Sequence, residues 1–323
     1  MNSSTLLGLS VYVLLGLLGV GTALSGHPFW VQVTIGIYIS SILALSWDIL
    51  ARTGQVSLGQ AAFFGIGAYV SAMLGPTVGI ISAWVIGIAT CALVALLFGL
   101  VTLRLRGMYF TIATIGFTLS LQVLTLILSD WTGGSGGISP LTLAGGDHDR
   151  QLIYITGFLL IAAVCSDIFL SSRFRPAFFM IRSNSALAAA SGVPVVGSKI
   201  LAFVVSGSLA GLAGESYAAL YGYVVPTDVF ILNWSIVPIA SAILGGCDST
   251  FGPVIGSVAM RSLEEAARAA IGGVGYQVVY GVVIIVCIVL APMGLTGLGK
   301  GALKWFLWRS RHASQPASAQ SRG

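Results

Sequence analysis

The sequence predicts an all-α, polytopic bundle of membrane helices, about 8–10 of them, with a broken or re-entrant segment near residues 54–75. Three observations point there. Only 25 of 323 residues are charged, 15 Lys and Arg against 10 Asp and Glu, where soluble domains carry about a quarter. Hydrophobic residues make up 56% of the chain and fall into runs of about 20, the length that crosses a bilayer as helix. Glycine stands at 42 positions without a collagen period, and small residues are what let membrane helices approach closely. A soluble globule is excluded, as is a disordered chain, which would combine low hydrophobicity with high net charge. The net charge of +5 sits at run ends and in the C-terminal tail, so it marks topology rather than nucleic-acid binding.

Apolar runs place spans near 5–24, 29–50, 58–75, 80–103, 108–128, 151–171, 199–224, 229–246, 253–270 and 276–291. The first ends in small residues, Ala23 and Ser25, as a cleavable signal does. No Lys or Arg precedes it, however, and it exceeds the roughly 7–15 residues of a signal core, so it reads as an uncleaved span. The second closes on Asp48 and Arg52, spaced to pair on one helix face. The third is preceded by a polar, flexible stretch, Thr53-Gly54-Gln55-Val56-Ser57-Leu58-Gly59-Gln60. Irregular backbone at membrane depth survives only against protein or a watery cavity, so Gln55, Ser57, Gly59 and Gln60 are candidate lining residues of a translocation path.

Two connections are long and polar. One, 129–150, carries Thr132-Gly133-Gly134-Ser135-Gly136-Gly137 and adds Thr132, Gly133 and Gly134 to the path candidates. The other, 172–198, contains Arg182 through Pro194, in which Ala and Leu favour a short helix and Gly192 with Pro194 stops it. Threading ten spans with both termini on one side puts 12 of the 15 basic residues on that side. Only Arg150, Arg261 and Arg268 fall opposite. The positive-inside rule therefore assigns both termini and the 172–198 loop to the cytoplasm and the 129–150 loop to the far side. The membrane domain is 1–308, followed by a polar tail, 309–323, read as disordered.

Other motifs carry little. Gly294 to Gly301 imitates a phosphate-binding loop, but Gly301 stands where Ser or Thr must reach magnesium. Gly133-Gly134-Ser135-Gly136 matches the G-x-S-G of intramembrane serine proteases, but His27, His148 and His312 all lie outside the spans, leaving Ser135 without a base. Cys91, Cys165, Cys247 and Cys287 have neither zinc nor disulfide spacing. No metal and no cofactor is expected. Gly207, Gly211 and Gly214 line one face of the seventh span, and Gly252 and Gly256 form a second small pair, both read as helix-packing surfaces. Glu215 lies sixteen residues beyond Lys199, about 24 Å along a helix crossing a core about 30 Å thick. It reads as snorkelling outward above a belt of Tyr217, Tyr221 and Tyr223, with a substrate contact as the second reading. Arg261 with Glu265, and Glu264 with Arg268, are spaced to neutralise one another.

Several pieces together resemble the inner-membrane permease subunits of bacterial branched-chain amino-acid ABC transporters, of the LivM type. They are Gly54 to Tyr69, Arg104 to Phe110, Thr132 to Gly137, Leu201 to Gly214, and Leu244-Gly245-Gly246 with Phe251 to Gly256. The resemblance implies a pore subunit working by alternating access with a second homologous permease, two ATP-binding subunits and a periplasmic solute-binding protein. It implies that Arg182, Ala189, Ala190 and Gly192 belong to the segment that docks on an ATPase. Gln60, where family members commonly carry His, and the missing acids at Ser183, Ser185 and Ala189 depart from the pattern and leave strict branched-chain specificity open. Two other readings stand beside it. An ion-coupled transporter or channel would use Arg261 or Glu215, and an intramembrane enzyme would need a base for its nucleophile.

Overall fold

The computed structural model describes residues 28–105, 107–139, 148–171, 174–247 and 249–271, with isolated positions beyond them. The first and tenth expected spans and the 309–323 tail lie outside the described residues, apart from isolated positions. Among the described residues the chain is helical, with one isolated antiparallel bridge between Ile138 and Val224. Seven helices are long and apolar enough to cross a membrane.

The helices are α1 (Pro28–Ala51), α2 (Gln60–Val78), α3 (Ile80–Thr102), α4 (Met108–Ile127), the single turn α5 (Ser129–Thr132), α6 (His148–Ser171), α7 (Phe174–Ser183), α8 (Ser185–Ala190), α9 (Val195–Tyr221), the single turn α10 (Pro226–Val229), α11 (Asn233–Gly245) and α12 (Phe251–Ile271). α1 is the axle: α6, α9, α11 and α12 all pack on it, and Tyr38, Ile39, Ile42, Leu43, Leu45 and Ile49 are wholly enclosed. α2 and α3 pack on α9 to form the other half. α3 and α4 turn apolar side chains such as Ile81, Leu97, Ile112 and Val123 outward, which a hydrocarbon solvent accepts without penalty.

The expected break near 54–75 is narrower than the sequence suggests. The non-helical stretch is residues 52–59, with Gly54 at φ +79, and from Gln60 the helix runs unbroken to Val78 despite Pro76. The 129–150 connection is not a free loop at its start. After α5, Gly133 adopts φ +69 and a one-turn 3-10 helix spans Gly134–Gly136. Ile138 then pairs with Val224, and the Tyr223 hydroxyl donates to the Gly136 carbonyl at 2.6 Å. The 172–198 connection holds two helices, α7 and α8, and the start of α9. The ninth expected span, 253–270, is helical as α12, but with Arg261, Glu264, Glu265 and Arg268 it is not among the seven apolar helices.

The end of the bundle that carries Arg52, Arg104, Arg182 and Lys199 is here called the basic end. Pro28, Val78 and Tyr221 mark the opposite end.

Candidate functional site

The polar stretch before α2 is a hub. Its non-helical backbone needs partners inside the bundle, since an unpaired amide in hydrocarbon costs several kcal/mol. The surrounding helices supply them. The Trp47 indole N–H of α1 donates to the Ser57 carbonyl at 2.9 Å. Thr111 and Thr114 of α4 take the other side: the Thr111 hydroxyl donates to the Val56 carbonyl at 2.8 Å, and the Leu58 N–H donates to the Thr114 hydroxyl at 3.0 Å. Ser235 of α11 bridges the turn into α2, donating to the Leu58 carbonyl at 2.8 Å and accepting from the Ala61 N–H at 3.0 Å. The Gln60 carboxamide accepts from Ser46 on α1 and donates to Ser206 on α9, both at 3.0 Å.

Gln55, Ser57, Gly59 and Gln60 are all buried. In this arrangement the backbone of the stretch and the Gln60 side chain brace α2 against α1, α4, α9 and α11. Thr132, Gly133 and Gly134 lie apart from them in the docked turn. There the Thr132 hydroxyl donates to the Thr125 carbonyl at 2.5 Å, and a Cβ on Gly133 would collide with the Gly137 carbonyl. They shape the turn after α5.

The glycine faces bring backbones together. On α9, Gly207 meets Ala95 and Phe63, Gly211 meets Cys91 of α3 and the backbone of Gly67 on α2, and Gly214 lies against the Phe64 carbonyl of α2. At the turn between α11 and α12, Gly245, Gly252 and Gly256 approach so closely that any Cβ would strike opposing backbone.

Glu215 does not snorkel. It is fully enclosed, its carboxyl lies over the backbone of Gly87 on α3, and neither oxygen has a hydrogen-bond partner among the described residues. The missing Cβ at Gly87 makes the room it occupies. Helical position gave its depth, but depth does not say whether a side chain points along α9 toward the surface or under α3. Of the expected tyrosine belt, Tyr221 and Tyr223 are exposed, whereas Tyr217 packs against Phe64 and Trp234.

The charges differ in setting from their sequence reading. Asp48 and Arg52 pair as spaced, but inside the bundle, and the Arg52 guanidinium also reaches Ser166 of α6. On α12 the partner of Arg261 is Glu264 at 2.9 Å, not Glu265, while Arg268 reaches both Glu264 and Glu265 at 3.2 Å. Arg261 also donates to Ser40 of α1 at 2.8 Å and lies 5.7 Å over the Trp234 ring. This network faces a cavity of about 430 Å³ at the end opposite the basic one. The sequence flagged these four charges but gave no sign of the cavity, because its walls come from α1, α9, α11 and α12.

At the basic end, α7 and α8 project as a helix pair. Phe178, Ile181 and Ala188 anchor it to the bundle. Asn184 caps α8 by accepting from the Ala186 and Leu187 N–H groups at 3.0 and 3.2 Å. Gly192, at φ +82, closes it while the Val193 N–H returns to the Ala188 carbonyl. Arg182, Ala189, Ala190 and Gly192 are exposed together on this pair. Around them Phe179, Leu187 and Val196 are 70%, 65% and 62% exposed.

Residues 29–290 match the family described as branched-chain amino acid transport system / permease component. Among curated proteins the chain is similar to the high-affinity branched-chain amino acid transport system permease protein LivM of Salmonella typhimurium. The two are 27% identical over 313 residues, covering 83% of this chain and 69% of the relative. The LivM protein of Escherichia coli gives the same identity and coverage. No solved structure matches the chain.

Proposed function

The chain belongs to the branched-chain amino-acid transport permease family, and from that premise we propose how this permease subunit of an ABC importer works and with whom. The solute is a branched-chain amino acid or a related small polar molecule, as the names of the relatives suggest. The partners are a second homologous permease, two ATP-binding subunits and a periplasmic solute-binding protein. The basic end faces the cytoplasm of a bacterial inner membrane, in keeping with the positive-inside rule.

The observation that carries this reading is the exposed helix pair at the basic end. Three large apolar side chains standing in water, ringed by Arg182 and small residues, are the signature of a docking surface. A short helix fixed by caps at both ends transmits a push better than a mobile loop does. ATP binding closes the two ATPases, α7 and α8 move with them, and α9 follows because it begins at Val195, just beyond α8. The motion reaches α2 and α3 through the glycine contacts of α9. The buried hub moves as a unit, since α1, α4, α9 and α11 are all bonded to it, and the path opens on the side of α12.

The test is reconstitution. The chain co-expressed with its ATP-binding subunits and second permease should co-purify with them and support ATP-driven uptake in proteoliposomes. Leu187→Asp should abolish co-purification of the ATPases while leaving the chain folded in the membrane. Solute accumulation by the chain alone, without nucleotide, would refute the proposal.

A further inference from the structure

We infer that the cavity opposite the basic end is a solute site of the permease itself, in which Arg261 receives a carboxylate and Asp228 an ammonium group. The inference rests on the importer reading above and assigns its receiving site to residues.

A guanidinium mostly buried in a membrane bundle, here with its side chain 18% exposed, is a functional candidate. Arg261 sits at the inner wall of the cavity, beside Gly36, where an added Cβ would be in ordinary van der Waals contact with its guanidinium. Gly36 is seven residues along α1 from the rim residue Phe29, a depth of about 10 Å. A purely structural arginine would use its whole donor set. This one donates from Nε to Ser40 and from Nη1 to Glu264, and its Nη2 has no hydrogen-bond partner among the described residues. The other oxygen of Glu264 accepts from Arg268. Resting over Trp234 fixes the plane of the group, and a fixed guanidinium edge matches a carboxylate.

The remaining wall supplies the complementary charge. Asp228 lines the same cavity, is exposed to it, and forms no ion pair among the described residues. Glu264, Glu265 and Arg268 line it as well, paired with one another, and the rings of Tyr217, Tyr221 and Trp234 form part of the wall. At about 430 Å³ the space lies in the range that encloses small molecules. Cation and anion receptors on one cavity, with the rings of Tyr217, Tyr221 and Trp234 beside them, suit a zwitterion that carries an apolar side chain.

The test is competition for radiolabelled L-leucine on the assembled transporter in nanodiscs. The competitors are isocaproate, which keeps only the carboxylate, and isoamylamine, which keeps only the ammonium. Saturable leucine binding is expected, weakened at least about tenfold by Arg261→Gln and less by Arg261→Lys. Arg261→Gln should selectively weaken isocaproate, and Asp228→Asn should selectively weaken isoamylamine. Absent leucine binding, unchanged affinity in Arg261→Gln, or equal loss for both competitors overturns the inference. Should Arg261→Gln fail to assemble, Asp228→Asn decides: a selective loss of isoamylamine supports the site, and an unchanged ranking overturns it. ATP-driven uptake separates the two levels. Missing uptake with selective binding intact counts against the importer reading alone, and uptake indifferent to Arg261→Gln counts against this inference alone.

Discussion

Substitution of Gly214 by Ala adds one methyl group at the point where α9 touches α2. That methyl would fall on the Phe64 carbonyl oxygen, with the Phe64 carbonyl carbon at 2.7 Å and Cα at 3.0 Å. All three are backbone atoms of a helix, so no rotamer change relieves the contact, and the two helices must separate along their length. Overpacking of this kind costs about 1–3 kcal/mol, and separation also forfeits dispersion along the seam. About 3 kcal/mol is expected. Gly211→Ala meets chiefly the Cys91 side chain, with its Cβ at 3.0 Å, which can give, so about 1–2 kcal/mol is expected. Gly157→Ala meets nothing within 4 Å and should be neutral, or stabilising by up to about 1 kcal/mol through helix propensity. Reversible unfolding of the three variants in mixed micelles, read by circular dichroism, measures the order. Equal effects at the three positions, or a harmless Gly214→Ala, would refute the argument that backbone contact on α9 holds the bundle together.

Gln60→Leu should destabilise by about 2–3 kcal/mol, because it strips Ser46 and Ser206 of a shared partner inside the bundle; the same unfolding assay reads it, and a change below about 0.5 kcal/mol would deny the hub its role. Glu215→Met should stabilise by about 1–3 kcal/mol, since a buried carboxyl without a hydrogen bond is replaced by an apolar chain of similar size; a loss of stability would mean that the carboxyl has a partner. Asn184→Ala should loosen α8 by about 1 kcal/mol through loss of its cap, raising amide exchange at Ala186 and Leu187 and weakening ATPase co-purification without affecting the membrane helices.

What the amino-acid sequence decided by itself was the solvent and the helices that follow from it. Scarce charge, long apolar runs and abundant glycine require lipid, and lipid requires helices whose backbone bonds close internally. The polar break before Gln60, the capped element between Asn184 and Gly192, and the charges of α12 were likewise legible, because polarity within an apolar chain is a strong local signal. The tertiary structure decided which way those side chains face. α1 is apolar nearly all round, so no periodicity distinguishes its inward side from its lipid side; the glycine face of α9 marks its seam with α2 and α3, but only the packing shows Glu215 beneath α3 and Tyr217 beside Trp234. It also decided whether polar groups touch solute or protein. Gln60 looks the same in sequence whether it lines a path or bridges Ser46 to Ser206, and the cavity beside Arg261 exists only because four helices far apart in the chain meet there.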